Sequence, residues 1–153
     1  MKVFLLVMAL HVFGIDGMND PVLDRVRSHY GELASNKAIC MELNQALTVS
    51  QRTSTIHLGY LGAVQTIMAN HTANPINKLK TFKKGRQLIE ESIELDPKNA
   101  ELRFIRLSIQ KKAPSFLGYR GNIAEDVAYL RKYKETIASQ MVRKNVNELL
   151  AEK

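Results

Sequence analysis

The chain has 153 residues, of which 45% are hydrophobic and 24% are charged. This length and composition are typical of one soluble globular domain and exclude two separate hydrophobic cores. The formal net charge of +7 favours anionic partners, although the same charge spread evenly over a surface is also typical of a merely soluble protein. Cys40 is the only cysteine, so the chain cannot form an internal disulfide, and its apolar neighbours predict a buried thiol.

The N-terminus is typical of a secretory signal peptide. Lys2 precedes an apolar run at 3–15, which is shorter than the roughly 20 residues that a membrane-spanning helix needs. We expect cleavage after Gly14 or Gly17, which gives a signal peptide at 1–17 and a helical domain at 18–153. No cysteine follows the run, so we predict an exported protein that is not a lipoprotein and whose mature chain has no transmembrane segment. The alternative is a cytoplasmic protein in which this run is a buried first helix.

Helical periodicity begins directly after this region. Apolar residues recur at helical spacing over 20–33, where Asp20-Pro21 is a typical helix start. Ser35-Asn36 is either a new cap or a short break, and the pattern then continues to Leu47. The apolar stretch 53–71 contains Gly59 and Gly62, which we interpret as places where another helix approaches closely.

The second half of the chain has the same character. Helices are predicted over 76–95 and from Asn99 to about 112, separated by a turn at Asp96-Pro97. The loop at 113–119 is rich in large apolar side chains, and helix returns from Asn122 to the C-terminus. No segment alternates with a period of two for long enough to predict a strand. The predicted fold is an all-α, single-domain antiparallel bundle of five to six helices.

One segment carries a resemblance to a known family. The stretch GRQLIEESIELDPKNAELRFIRLSI, from Gly85 to Ile109, resembles the junction between two tetratricopeptide repeats (TPR). Leu58-Gly59 resembles the Leu-Gly pair of a first repeat helix, but the connection that follows is longer than in the family, and Gly62 replaces an aromatic residue. The resemblance implies TPR-like helix pairs with a concave face that binds a protein or peptide. The block from Leu79 to Leu130 also looks like a family of small exported bacterial proteins of unknown function, which implies no activity.

The sequence contains none of the motifs that we associate with enzyme chemistry. It has no HExxH or Cys/His pair, no glycine-rich phosphate loop and no serine nucleophile elbow. We therefore predict no catalytic residue, no metal site and no cofactor, and we interpret the protein as not an enzyme. The carboxylates at 90–96 are more typical of a solvated helix end, or of partners for arginines, than of an acid–base pair.

Two groups of residues are candidates for partner binding. Arg103 and Arg106 occur on a helix that should be largely buried, where they would form internal salt bridges, with Glu90, Glu94 or Glu101 as candidate partners, or would line a groove that receives a carboxylate. Phe116 and Tyr119 lie in the apolar loop, which would either plug the bundle or present a partner surface. The candidate partner-binding residues are Arg103, Arg106, Phe116 and Tyr119.

The densest basic run lies on the fourth predicted helix. Its side chains wrap the polar side of that helix, which suits a solvated face or an anion-binding face; they are Lys78, Lys80, Lys83, Lys84 and Arg86. The preferred hypothesis is an exported, non-enzymatic scaffold that binds an unknown protein or peptide. The alternative is an envelope protein that binds an anionic polymer or lipid through this basic face. Nucleic acid is not an expected partner, because no aromatic residues interleave with the basic ones for base stacking.

Overall fold

The computed structural model describes residues 20–152. The predicted signal peptide at 1–17 therefore lies outside the described residues, together with its cleavage site and the first residues of the helical domain predicted at 18–153. The described chain forms seven α-helices: α1 Pro21–His29, α2 Lys37–Ser50, α3 Thr55–Met68, α4 Pro75–Leu95, α5 Ala100–Lys112, α6 Ile123–Tyr133 and α7 Gln140–Ala151. Single 3-10 turns follow α1, α3 and α6, and one more lies at Ser115–Leu117.

The all-α prediction is confirmed, and no strand occurs within residues 20–152. The number of helices is seven instead of five to six, because the helical segment predicted from Asn122 to the C-terminus is two helices, α6 and α7. Of the two alternatives for Ser35-Asn36, the new cap is the correct one. Asn36 accepts a hydrogen bond from the backbone N–H of Ile39 and starts α2. Ser139 accepts one from Val142 and starts α7. Each cap satisfies an amide that the first helical turn leaves without a partner.

Helix α3 lies at the centre of the bundle, and glycines let α4 approach its backbone. A Cβ atom built on Gly62 would lie 2.7 Å from the carbonyl oxygen of Gly85 on α4. The reverse contact is closer, since a Cβ on Gly85 would lie 2.5 Å from the carbonyl oxygen of Gly62. On another part of α3, a Cβ on Gly59 would lie 2.7 Å from Leu102 of α5. The prediction of close helix approach at Gly59 and Gly62 is therefore confirmed.

Helix α5 is covered on both sides. Leu102 and Ile105, on its main apolar stripe, are buried, and so are Phe104 and Leu107 on its other faces. Cys40 of α2 is also buried, as its apolar neighbours predicted, and burial raises the pKa of its thiol to about 11. In the described part of the chain, no helix combines the length and the apolar character that crossing a membrane requires.

Candidate binding groove

An open groove of about 520 Å³ lies where the C-terminal ends of α3 and α5 meet the N-terminal half of α4. The turn after α1 and the segment Ala113–Leu117 complete its walls. The walls are largely apolar, with contributions from Tyr30, Ile67, Leu79, Phe82, Ile109, Pro114, Phe116 and Leu117. A groove of this size and character is typical of sites that bind a small molecule or a short peptide segment.

Exposed side chains form the rim of the groove. Phe116 is 84% exposed and Leu79 is 41% exposed, so both apolar side chains are accessible to a partner at the groove. Lys78 of α4 and Lys112 of α5 also line the groove and are exposed. No acidic residue contributes to its lining. The groove therefore combines an apolar interior with a positively charged rim.

Arg106 of α5, one of the two arginines predicted as partner contacts, lies inside the bundle. Arg106 donates two hydrogen bonds of 2.7 Å to Asp126 of α6, one from Nε to Oδ2 and one from Nη2 to Oδ1. Its Nη1 donates to Glu90 of α4 at 2.9 Å. The side chains of Arg106 and Asp126 are 4% and 0% exposed. Burial alone would lower the pKa of the Arg106 guanidinium, but hydrogen bonds and charge from Asp126 and Glu90 outweigh burial and raise it.

The same ion-pair cluster holds Tyr119 and Arg103. The hydroxyl of Tyr119 donates to Glu90 Oε1 at 2.6 Å, and the side chain is buried. Burial, reinforced by the Glu90 carboxylate, raises the pKa of Tyr119. Arg103 Nη1 donates to Glu125 at 2.8 Å and to Asp126 at 3.3 Å. These contacts tie α4, the loop after α5, and α6 to α5.

The four candidate partner-binding residues do not share a surface, so this site prediction needs correction. Arg106 and Tyr119 are buried and Arg103 is nearly so, and each of the three side chains donates hydrogen bonds to other residues of the same chain. The interpretation of Arg106 as half of an internal salt bridge to Glu90 is the correct alternative. The apolar loop plugs the bundle with Tyr119, whereas Phe116 stays exposed. Only Phe116 remains available to a partner.

Asn122 precedes α6, and Glu125 follows it at the spacing of a capping box, but the two side chains do not form one. The side chain of Asn122 caps no amide of α6, and its Nδ2 instead donates to Glu125 Oε2 at 3.1 Å. That hydrogen bond, followed by the contacts with Arg103, lowers the pKa of Glu125. Asn122 cannot act as a normal cap because its backbone, with ψ near 4°, is not extended.

A second buried ion pair was not found by sequence reasoning. Glu101 at the start of α5 accepts hydrogen bonds from Arg27 of α1 at 2.8 and 2.9 Å and from the Tyr60 hydroxyl of α3 at 2.8 Å. Burial and then the Glu101 carboxylate raise the pKa of Tyr60. Asp126 was missed as well, although one signal was available. It lies between Ile123 and Leu130 on the apolar stripe of α6, where a carboxylate must be paired if it is buried.

The basic residues of α4 are arranged as predicted, on the polar side of the helix. All five are exposed, and within residues 20–152 none of them forms an ion pair; they are Lys78, Lys80, Lys83, Lys84 and Arg86. Arg86 packs over the ring of Tyr119, with its guanidinium carbon 4.7 Å from the ring centroid. Lys78 is the member of this set that lines the groove.

The described part of the chain places no group of three or more His, Cys, Asp or Glu side chains where they could hold a metal ion. Comparisons with protein-family models, with curated proteins and with solved structures find no match to this chain.

Proposed function

We propose that this protein is an exported, non-enzymatic helical scaffold that binds a segment of another protein or a peptide in the groove. The observation that carries the proposal is the open apolar groove of about 520 Å³ with Phe116 exposed at its rim. Exposed aromatic side chains beside an apolar concavity are typical of the central contacts of protein interfaces.

The buried ion pairs support a scaffold role because they join helices that contribute residues to the groove. The cluster around Arg106 and Asp126 joins α4, α5 and α6, and the pair of Arg27 with Glu101 joins α1 to α5. A preformed groove loses less conformational entropy when it binds than a surface that must first become ordered. The TPR-like helix pairs implied by the sequence add support at the level of fold analogy only.

Export is part of the proposal and depends on the apolar run at 3–15, which has the length of a signal-peptide core. The mature protein would begin after Gly14 or Gly17 and would meet its partner outside the cytoplasm.

Site-specific photocrosslinking in intact cells tests the proposal. A photoreactive amino acid placed at Phe116 is expected to give one covalent adduct of discrete mass, because this side chain lies at the rim of the groove. The matched control is Val49 of α2, which is 85% exposed and does not line the groove. Mass spectrometry of the adduct identifies the partner, and the same spectra give the N-terminal residue of the mature chain.

Equal crosslinking at both positions would show that contact at Phe116 is unspecific, and no adduct at either position would argue against a protein partner at the groove. Neither substitution should affect folding, since both side chains are exposed. An uncleaved chain in the cytoplasm would contradict the export part of the proposal while leaving the groove part intact.

A second candidate function is binding of an anionic envelope polymer or lipid surface through the basic face of α4. The observation that favours it is that all five basic side chains are exposed and without acidic partners among residues 20–152. Binding of this kind should weaken steeply as salt is raised from low to physiological concentration, because exposed charges are screened. Cosedimentation with vesicles that contain anionic lipid, at two salt concentrations, measures the effect. Retention that is unchanged by salt would contradict this candidate.

A further inference from the structure

The positive charge of the protein is concentrated around the groove. Two stretches that contribute residues to its walls, 75–86 on α4 and 108–121 at the end of α5 and in the following loop, hold eight of the 22 Lys and Arg residues and none of the 15 Asp and Glu residues. Two of these eight, Lys78 and Lys112, line the groove itself. The rest of the chain therefore has 14 basic and 15 acidic residues and is close to neutral. The net charge of +7 therefore comes from these two stretches and not from an even spread of basic residues along the chain.

We propose that the groove selects peptide segments that combine a large apolar side chain with carboxylates close to it in sequence. The apolar side chain would contact Phe82 and Phe116, and the carboxylates would meet the lysines of the rim. This inference rests on the proposed function and adds the chemistry of the partner to it. Complementary charge across an interface raises the rate of encounter and excludes partners of the wrong sign.

Lys78 and Lys112 are the two charges best placed for this role. They stand on different walls, one on α4 and one on α5, and within residues 20–152 neither side chain forms an ion pair or hydrogen bond. The neighbouring Lys111 is already engaged, since its Nζ donates to the carbonyl oxygens of Leu149 and Glu152. Arg86 packs over Tyr119. Lys78 and Lys112 are therefore the side chains that would pair with a carboxylate bound between the walls.

The open form of the groove favours a peptide over a single acyl chain. Its rim residues Lys78, Leu79 and Phe116 are all exposed, so an acyl chain lying along the groove would keep one side in water. A peptide can bury one or two apolar side chains and leave its backbone hydrated. The same open rim lets acidic residues beside the apolar anchor reach the lysines.

Selection from a random peptide display library, on the full chain as it is expressed, tests the inference. The wild type is expected to enrich peptides that contain an aromatic or large aliphatic residue with Asp or Glu near it. The doubly charge-reversed variant Lys78→Glu/Lys112→Glu should lose the preference for acidic residues. Its affinity for the best wild-type peptide should fall by a factor of up to about ten. The matched control Lys80→Glu/Lys84→Glu makes the same change of net charge at exposed α4 positions outside the groove lining and should keep the preference.

The outcomes separate this inference from the proposed function. The alternative result is that the wild type enriches apolar peptides that lack acidic residues and that do not bind the variant Phe116→Ala. That result would overturn the inference but would still support the groove as a peptide-binding site. Equal losses in the two double variants would show that net charge alone acts, which would also overturn it. If no enriched peptide depends on Phe116, both proposals fail. In that last case, displacement of an apolar dye from the groove by dodecanoate would show that the groove binds small amphiphiles.

Discussion

Asp126→Asn is expected to lower the free energy of unfolding by about 3–5 kcal/mol, the range observed when one partner of a buried ion pair is removed. Asp126 is fully buried and accepts both of the short hydrogen bonds that Arg106 donates to it. The asparagine has nearly the same shape, so the loss would come from the charge left on Arg106 and from the altered donor pattern, and not from a cavity. Glu90, which is partly exposed, would be the main remaining partner of Arg106. Urea denaturation followed by circular dichroism measures the change.

Glu125→Gln is the matched control for this experiment. Glu125 also pairs with an arginine of α5, but its side chain is 56% exposed, so its removal should cost no more than about 1 kcal/mol. If Asp126→Asn cost as little as Glu125→Gln, the pair of Arg106 with Asp126 would not be the structural tie that its geometry indicates. The variant should also leave Phe116 exposed, because the substitution is confined to the interior.

The sequence predicted the helices well because each one has a regular apolar stripe and a recognisable cap. Asp20 and Asn99 cap their helices as expected, and the apolar faces of α3 and α5 are buried. For the buried charges, the sequence offered Glu90, Glu94 and Glu101 as alternative partners of Arg103 and Arg106, and only the pair of Arg106 with Glu90 is present. Arg27 and Glu101 are separated by 74 positions, and Arg106 and Asp126 by 20, so local periodicity carries no information about which carboxylate each arginine meets.

The groove could not be predicted as a site, although parts of it could. Phe116 was noted as an apolar residue in a loop, and Lys78 as part of a basic helix face. That the two line one groove depends on how the N-terminal half of α4 lies against the ends of α3 and α5. This placement includes the close backbone contact of Gly62 with Gly85. The sequence indicated a close approach at Gly62 but not which helix makes it.

Gly85→Ala is expected to lower the free energy of unfolding by about 2–3 kcal/mol, despite the roughly 1 kcal/mol that alanine gains over glycine within a helix. The new methyl group would lie 2.5 Å from the carbonyl oxygen of Gly62 and 2.6 Å from the amide nitrogen of Thr66. Both are backbone atoms of α3, so no change of rotamer relieves the overlap and the two helices must separate. Thermal and urea denaturation measure the loss.

The control for the glycine contact is Gly121→Ala, because a Cβ at Gly121 meets nothing within 4 Å and its φ is not positive. This variant should be neutral or slightly stabilised, by up to about 1 kcal/mol, since alanine restricts the unfolded chain. A stable Gly85→Ala protein would mean that α3 and α4 do not touch at this crossing.

Because α4 carries Lys78, Leu79 and Phe82 into the groove, separation of the helices would also displace that wall. Gly85→Ala should therefore weaken crosslinking at Phe116 even under conditions in which the variant remains folded, which would link the contact of α4 with α3 at Gly85 to the function proposed for the groove.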